Sequence, residues 1–329
     1  MLFGGLMKAI VCTKFGIDAL RLEEVDRPIP NDDQVLIEIH ASSITFSNLM
    51  YVSGKPFLLR PVAGGFLKPK RLIPGSDIAG RVVAVGSKVT QYKPGDEVYG
   101  DIADVGKGGL AEYVCAPEWR LARKPTNLSY IEAAAVPETA LVALQAVRDD
   151  GAVKQGQKVL VYGASGGIGT FVVQIAKYYG AEVTGVCSTR NLDLVRSLGA
   201  DHVIDYTKED FALSGQHYDV IIATAGYRSI FTYKNALTPS GVYVATGGQW
   251  GQTFQGLLLG KRLSEPGGRR LGALVMKTTN QDLALLTEMI ESGSVKPVID
   301  KIYPLSQTQA AFHYYSQRHS RGKVVISVC

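Results

Sequence analysis

The sequence predicts an α/β protein of two domains, a curved β domain and a doubly wound parallel sheet. Three observations carry this. The chain has 329 residues, enough for two domains of about 150 residues each. Its first third is a series of short strand-like runs separated by turn residues. From about Lys124 onward, continuous apolar runs alternate with helical ones. Hydrophobic residues make up 46% and charged residues 20%, so a sizeable core forms without disulfide staples.

In the first third, strands are expected at 8–12, 35–40, 78–86 and 97–99. The run VLIEIH at 35–40 alternates as a half-buried strand does. Pro28, Pro30, Pro74-Gly75, Gly86, Pro94-Gly95 and Gly108-Gly109 turn the chain between them. Many short strands at close spacing predict a small barrel or a strongly curved sheet. Residues 53–71 follow neither period and read as a long loop.

Beyond Lys124 an alanine-rich helix is expected at 130–149. Strands follow at 158–162, 182–187, 202–204, 218–223, 241–245 and 271–276, with helices at 170–179, 191–198 and 231–237. This alternation requires a parallel sheet covered on both faces by right-handed crossovers. Residues 249–269 show no readable fold. A helix at 282–291, a strand at 298–303, a helix at 307–315 and a strand at 323–328 break the series and are expected to return to the first domain. The expected domains are 1–123 with 278–329, and 124–277.

The net charge of +5 comes from scattered basic residues, which argues against a nucleic-acid partner. No apolar run reaches the ~18 residues of a membrane span. The cysteines Cys12, Cys115, Cys187 and Cys329 are scattered and contain no C-x-x-C. Together with the missing basic n-region of a signal peptide, they predict a cytoplasmic protein.

Gly163-Ala164-Ser165-Gly166-Gly167-Ile168-Gly169 follows a strand and opens a helix, the context a dinucleotide-binding turn requires. Ala164 replaces the first glycine of the motif. Ser165, Gly166, Gly167 and Ile168 are expected at the pyrophosphate, with Gly169 packing the helix close to its strand. The next strand ends Cys187-Ser188-Thr189-Arg190, with no carboxylate to bind an NAD ribose. Ser188 and Arg190 suit a 2′-phosphate, Tyr206 is grouped with them, and NADPH is the expected cofactor. The loops Thr224-Ala225-Gly226 and Thr246-Gly247-Gly248 follow two further strands and are expected to line the ribose and nicotinamide. Replacing Gly247 with Val is expected to block the cofactor and spare the fold.

The stretches PGSDIAG at 74–80, Val85-Gly86, KPGDEV at 93–98, GLAEY at 109–113 and AAAVP at 133–137, with the glycine-rich turn, occur in this order. They resemble the medium-chain dehydrogenase/reductase superfamily over about residues 8–328, in its zinc-free, quinone-oxidoreductase-like branch. The resemblance implies a GroES-like β-barrel domain built from both chain ends, a Rossmann domain between them, and an active site at their junction. It also implies a homodimer paired through the 271–276 edge. Zinc-dependent members carry a Cys near Thr45, a His-Glu pair where Ser76-Asp77 stand, and a Cys within 137–139. These thiols and imidazoles are missing here, as is the lobe for a structural zinc, so no metal is expected. Asp77 and Glu138 are carboxylates near that position.

Without a Lewis acid, hydride delivery to a quinone or an α,β-unsaturated carbonyl is favoured, because charge spreads onto an enolate oxygen. Hydrogen-bond donors are sought among Thr45, Ser47, Asn48 and Tyr51, with Asn48 and Tyr51 foremost. Two alternatives stay open, an NADPH-dependent carbonyl or alcohol oxidoreductase and a non-catalytic NADPH-binding sensor or structural protein.

Overall fold

The computed structural model describes residues 5–55, 57, 60, 68–69, 73–103, 108–248 and 250–329. Most of the loop read at 53–71 lies outside the described residues. In chain order the strands begin β1 (Leu6–Cys12), β2 (Leu20–Asp26), β3 (Gln34–Ile44), β4 (Asp77–Val85), β5 (Glu97–Asp101), β6 (Tyr113–Pro117) and β7 (Leu121–Arg123). They continue β8 (Lys158–Tyr162), β9 (Glu182–Cys187), β10 (His202–Asp205), β11 (Tyr218–Ala223), β12 (Leu237–Ala245) and β13 (Arg270–Ala273). The last two are β14 (Ile299–Pro304) and β15 (Lys323–Ser327).

Two compact units result. The first comprises Met1–Glu138, Thr278–Glu291 and Pro297–Cys329, and the second Thr139–Lys277 and Ser292–Lys296. In the first, β1 and β2 form an antiparallel ribbon, and seven strands form a sheet in the order β14-β15-β3-β4-β5-β7, with β6 added on β3. The eleven residues of β3 organise this sheet. Gln34–Glu38 pair with β6 and Ala41–Ile44 with β15, while β4 pairs along the other edge with register slips at Leu36/Ile37 and Ile39/Ala41. A strand that changes partner through bulges bends strongly, which curls the sheet around Val35, Ile37, Ile39, Ile78, Val98 and Val114. This is the GroES-like architecture. The short β2, β6 and β7 were not anticipated.

The division falls after Glu138 rather than at 123. Residues 130–149 form two helices, Tyr130–Ala134 and Pro137–Gln145, and then a single π turn. Pro137 has no N–H to continue a helix and instead begins one. The first of these helices opens on a capping box between Ser129 and Glu132 and packs on β3 and β4, which holds the segment to the barrel.

The second unit is a six-stranded, wholly parallel sheet in the order β10-β9-β8-β11-β12-β13. This is the doubly wound Rossmann order, with the reversal between β8 and β11. Residues 249–269, unreadable in sequence, carry the helix Trp250–Leu263. Its glycines concealed it, because glycine is a poor helix former. The fold needs two of them. A Cβ on Gly256 would approach Ala273 Cβ to 2.9 Å, and one on Gly260 would approach Leu271 O to 2.5 Å. One turn apart on one face, they let the helix rest its backbone on β13. That strand is shorter than the 271–276 expected. Among the described residues, no helix is long and apolar enough to cross a membrane.

Candidate active site

Two clusters of functional groups form, one in each unit. In the second unit they gather at the carboxyl ends of the strands around the reversal. Gly166 is the N-cap of the helix Gly167–Tyr178, and no side chain caps it. The first N–H groups of that helix are therefore available to an anion. A Cβ on Gly166 would meet only Gly163 O, at 3.5 Å, so space lies open before the helix. A Cβ on Gly169 would overlap Gly163 O, which accounts for the close helix–strand packing.

The register brings three loops together, since β8, β11 and β12 are neighbours. Thr224 Oγ1 donates to the carbonyls of Tyr162 and Gly163, both at 3.1 Å. Gly226 and Gly248 take φ of 68° and 97°, in the region that favours glycine. Ala225 lies beneath Gly163 and Thr246 N bonds to Ala223 O, so both belong to the same floor. Gly247 faces protein rather than open space. An added Cβ would stand 2.6 Å from Thr224 O and 3.7 Å from Ile168 Cδ1. The expectation that Gly247→Val spares the fold is therefore corrected, because the bulk would force two strand-end loops apart.

Ser188, Arg190 and Tyr206 follow β9 and β10, and Arg190 and Tyr206 are exposed. Two residues missed in sequence hold this rim. Asn191, 5% exposed, donates through Nδ2 to Ser165 Oγ (2.9 Å) and Ser188 Oγ (3.2 Å). Its buried Oδ1 has no partner among the described residues. Asp205 accepts from the hydroxyls of Thr189 and Thr207 and from Thr207 N, which fixes the turn carrying Arg190. Thr189's hydroxyl, chiefly, holds its carboxyl below the usual range. An uncapped helix N-terminus, an open cradle and an orphaned amide oxygen together fit a dinucleotide.

The second cluster is in the barrel. Pairing of β3, β4 and β5 aligns Ser43, Asp77 and Asp101 across three strands. Lys323, at the start of β15, places its ammonium 3.0 Å from Asp77 Oδ2, with both side chains almost wholly buried. Ser43 Oγ donates to the same oxygen, and Glu138 N donates to Asp77 Oδ1 at 2.8 Å. Ala103 N and Thr278 Oγ1 donate to the two oxygens of Asp101.

Thr45, Ser76-Asp77 and the segment 137–139, which the resemblance puts at the zinc-ligand positions, come together here. Ser47 Oγ and Ser76 Oγ donate to Glu138 Oε2 at 2.8 and 3.1 Å, and Thr45 Oγ1 lies 2.7 Å from Ser47 Oγ. Asp77, Asp101 and Glu138 each bring an oxygen within 4.8 Å of the others. The oxygens of the two aspartates are already engaged, and Lys323 supplies the cation. Three hydroxyls and one carboxyl offer zinc neither thiolate nor imidazole, the donors its sites are built on, so this set does not fit that ion. Burial, then Asp77 and Asp101, push the Glu138 carboxyl up to about 7 against the pull of Lys323 and Ser47. Burial and then Asp77 push Asp101 up to about 6.

Of the residues singled out as donors, Asn48 is committed to local structure. It completes a capping box with Thr45 at the start of the helix Phe46–Ser53 and donates to Ser76 Oγ at 3.1 Å. Tyr51 packs against the cluster of Val52, Phe312 and Val324. Asp101 and Lys323 were missed, because no local pattern links them to Asp77.

A dinucleotide cradle on a doubly wound sheet, with a polar pocket on a GroES-like barrel, defines an oxidoreductase. Residues 31–126 match the alcohol dehydrogenase GroES-like domain, and 198–326 match a zinc-binding dehydrogenase domain. The latter segment contains none of Thr45, Ser76 and Glu138. The chain is 33% identical to a chloroplast envelope quinone oxidoreductase homolog of Arabidopsis thaliana, over 98% of its own length and 99% of the relative's. It is 36% identical to an NADPH-dependent alkenal/one oxidoreductase of the same plant, over 97% and 79%. The quinone oxidoreductase structure from Coxiella burnetii superposes with a TM-score of 0.88 at 29% identity, covering 99% and 100% of the two chains. The chain belongs to the medium-chain dehydrogenase/reductase superfamily, in its quinone-oxidoreductase-like branch. The expected cytoplasmic location is overturned, since these plant relatives and others like them are named as chloroplast proteins. Scattered thiols report a reducing environment, and that is not unique to cytoplasm.

Proposed function

We propose that this oxidoreductase is a zinc-independent, NADPH-dependent reductase of quinones and α,β-unsaturated carbonyl compounds. The observation that carries the reading is the hydrogen-bonded set Thr45, Ser47, Ser76 and Glu138, which contains no thiol or imidazole. The nicotinamide, when bound, supplies hydride. The protein's own part is to seat it. The helix N-terminus at Gly166-Gly167-Ile168 and Ser165 takes the pyrophosphate, and Thr224, Ala225, Gly226, Thr246, Gly247 and Gly248 form the floor beside it. Ser188, Arg190 and Tyr206 receive the 2′-phosphate, with no carboxylate ending β9 to repel it. Asn48 positions Ser76 and the start of its helix, and Tyr51 contributes packing. The names of the plant relatives support this substrate range.

NADPH oxidation measured across quinones, enones and simple aldehydes, with and without a chelator, tests the reading. Turnover of quinones or enones that survives chelation is expected. Turnover of aldehydes alone, or a loss restored by zinc, overturns it, and tight NADPH binding with no turnover would favour a sensor.

We also propose a homodimer. Among the described residues, strand β13 has one edge without a partner strand. Beside it Phe254, Leu257, Leu258 and Val275 are 43–71% exposed. An open strand edge flanked by apolar side chains suits a second copy of itself. Sedimentation should report a dimer that Leu258→Glu dissociates, and a monomeric wild type refutes it.

A further inference from the structure

We propose that Glu138 is the acid that protonates the enolate formed when this enzyme reduces an enone. The proposal rests on the reductase reading above. Its basis is the way the carboxyl is held. Glu138 N is bonded to Asp77, and both hydroxyl bonds, from Ser47 and Ser76, fall on Oε2. Among the described residues Oε1 accepts no hydrogen bond, and the side chain keeps partial exposure. One oxygen is clamped, and the other is left without a bond from the described residues.

The charges around it supply the proton. Asp77, Asp101 and Lys323 face Glu138 from β4, β5 and β15. Tyr315, from the helix Thr308–Ser316, is also within its field; burial, then Glu138 and Asp77, raise the phenol, which stays neutral. Three carboxyls share the Lys323 ammonium, and the buried Arg120 guanidinium also acts on Asp101. Asp77 is paired with Lys323, and both oxygens of Asp101 accept bonds. Above about pH 6, where Asp101 has lost its proton, the one that the cluster retains is left to Oε1 of Glu138. Burial and the neighbouring acids keep it there up to about pH 7.

Hydride addition to the β-carbon shifts the C=C electron pair toward the carbonyl and leaves an enolate. The Glu138 O–H bond breaks and a C–H bond forms at the α-carbon, giving the saturated ketone. The carboxylate then recovers its proton from water. A quinone needs none of this, because hydride addition gives a phenolate that takes its proton from solvent after release. Glu138 therefore separates the two substrate classes.

The test uses the full chain as wild type, Glu138→Gln, Glu138→Asp and Ser47→Ala. Infrared titration without cofactor should show a protonated carboxyl band that fades as pH rises through about 7 and is missing in Glu138→Gln. With NADPH, Glu138→Gln should lower the reduction of a vinyl ketone about 100-fold, as loss of a general acid does, and abolish the fall in rate above pH 7. Reduction of a benzoquinone should fall by a clearly smaller factor than that of the ketone, and Glu138→Asp should restore part of the ketone rate. Equal losses on both substrates, or an unchanged pH profile, overturn the proposal. If Glu138→Gln does not fold, Ser47→Ala should shift the same pH limb, and an unmoved limb overturns it. A wild type that reduces neither substrate refutes the reductase reading instead, and the infrared titration still decides where the proton sits.

Discussion

Lys323 is the buried cation paired with Asp77 in a cluster of three carboxyls, and replacing it with Met should destabilise the first unit in a pH-dependent way. The ammonium is 2% exposed and lies 3.0 Å from Asp77, itself 0% exposed. Removing one partner of such a pair typically costs about 3–5 kcal/mol, because a charge is left without compensation. That cost has a ceiling, since Asp77 can enter the fold protonated. An Asp in an unfolded chain ionises near pH 3.9, and each pH unit above that adds about 1.36 kcal/mol to protonating it. The ceiling is thus about 4 kcal/mol at pH 7 and about 1.5 kcal/mol at pH 5. Urea unfolding at the two pH values measures it, in a Trp250→Phe background where Trp119 reports the first unit. The double variant Lys323→Met/Asp77→Asn should recover most of the loss at pH 7. A loss under about 1 kcal/mol at pH 7, or equal losses at both pH values, would refute the reasoning.

Gly166→Ala should keep the wild-type urea midpoint and weaken NADPH at least about tenfold by fluorescence titration, since its methyl enters the cradle. Gly169→Ala should instead lower stability, because its methyl meets Gly163 O; the reverse pattern would move the pyrophosphate elsewhere. Arg190→Ala should cost NADPH about 1.5–3 kcal/mol, tenfold or more in Kd, and leave NADH unchanged; equal affinity of the wild type for both cofactors would refute this. Glu138 and Asp101 hold protons in the fold at pH values where the unfolded chain has lost them. Their contribution to stability is therefore full in acid and declines as pH rises through about 6 to 7. Wild type minus Glu138→Gln, measured by urea unfolding between pH 5 and 8, should show that decline.

The second unit was readable because each of its signals is local. A strand, a glycine-rich turn and a helix are contiguous at 158–178, and the loops at Thr224 and Thr246 each end an apolar run. What escaped notice depended on partners distant in sequence. Gly256 and Gly260 read as helix breakers until β13 lies against them. Asn191 shows its role only when β8 and β9 bring Ser165 and Ser188 to it. The barrel cluster was least readable. Asp77 and Glu138 drew attention through resemblance, but register alone puts Asp101 opposite Asp77. Lys323 is an unremarkable lysine until β15 pairs with β3. Gly247 was misjudged for a related reason, because the space beside a glycine is a property of the neighbouring loop.

The pairing of β15 with β3 has a consequence for synthesis. Asp77 and its ammonium partner are separated by 246 positions, so the ribosome emits the acids long before the base. At about 5–20 residues per second the interval is on the order of ten seconds or more. The segment Thr139–Lys277 is nearly self-contained and can collapse during that interval. The barrel cannot, for its acids would have to be buried without a counterion and its sheet would lack the strand that closes one side of β3. The nascent chain therefore carries an unfinished barrel, its cluster of acids not yet joined by Lys323, that solvent or a chaperone must keep open. Completion waits for Lys323 and the rest of β15 to pair with β3.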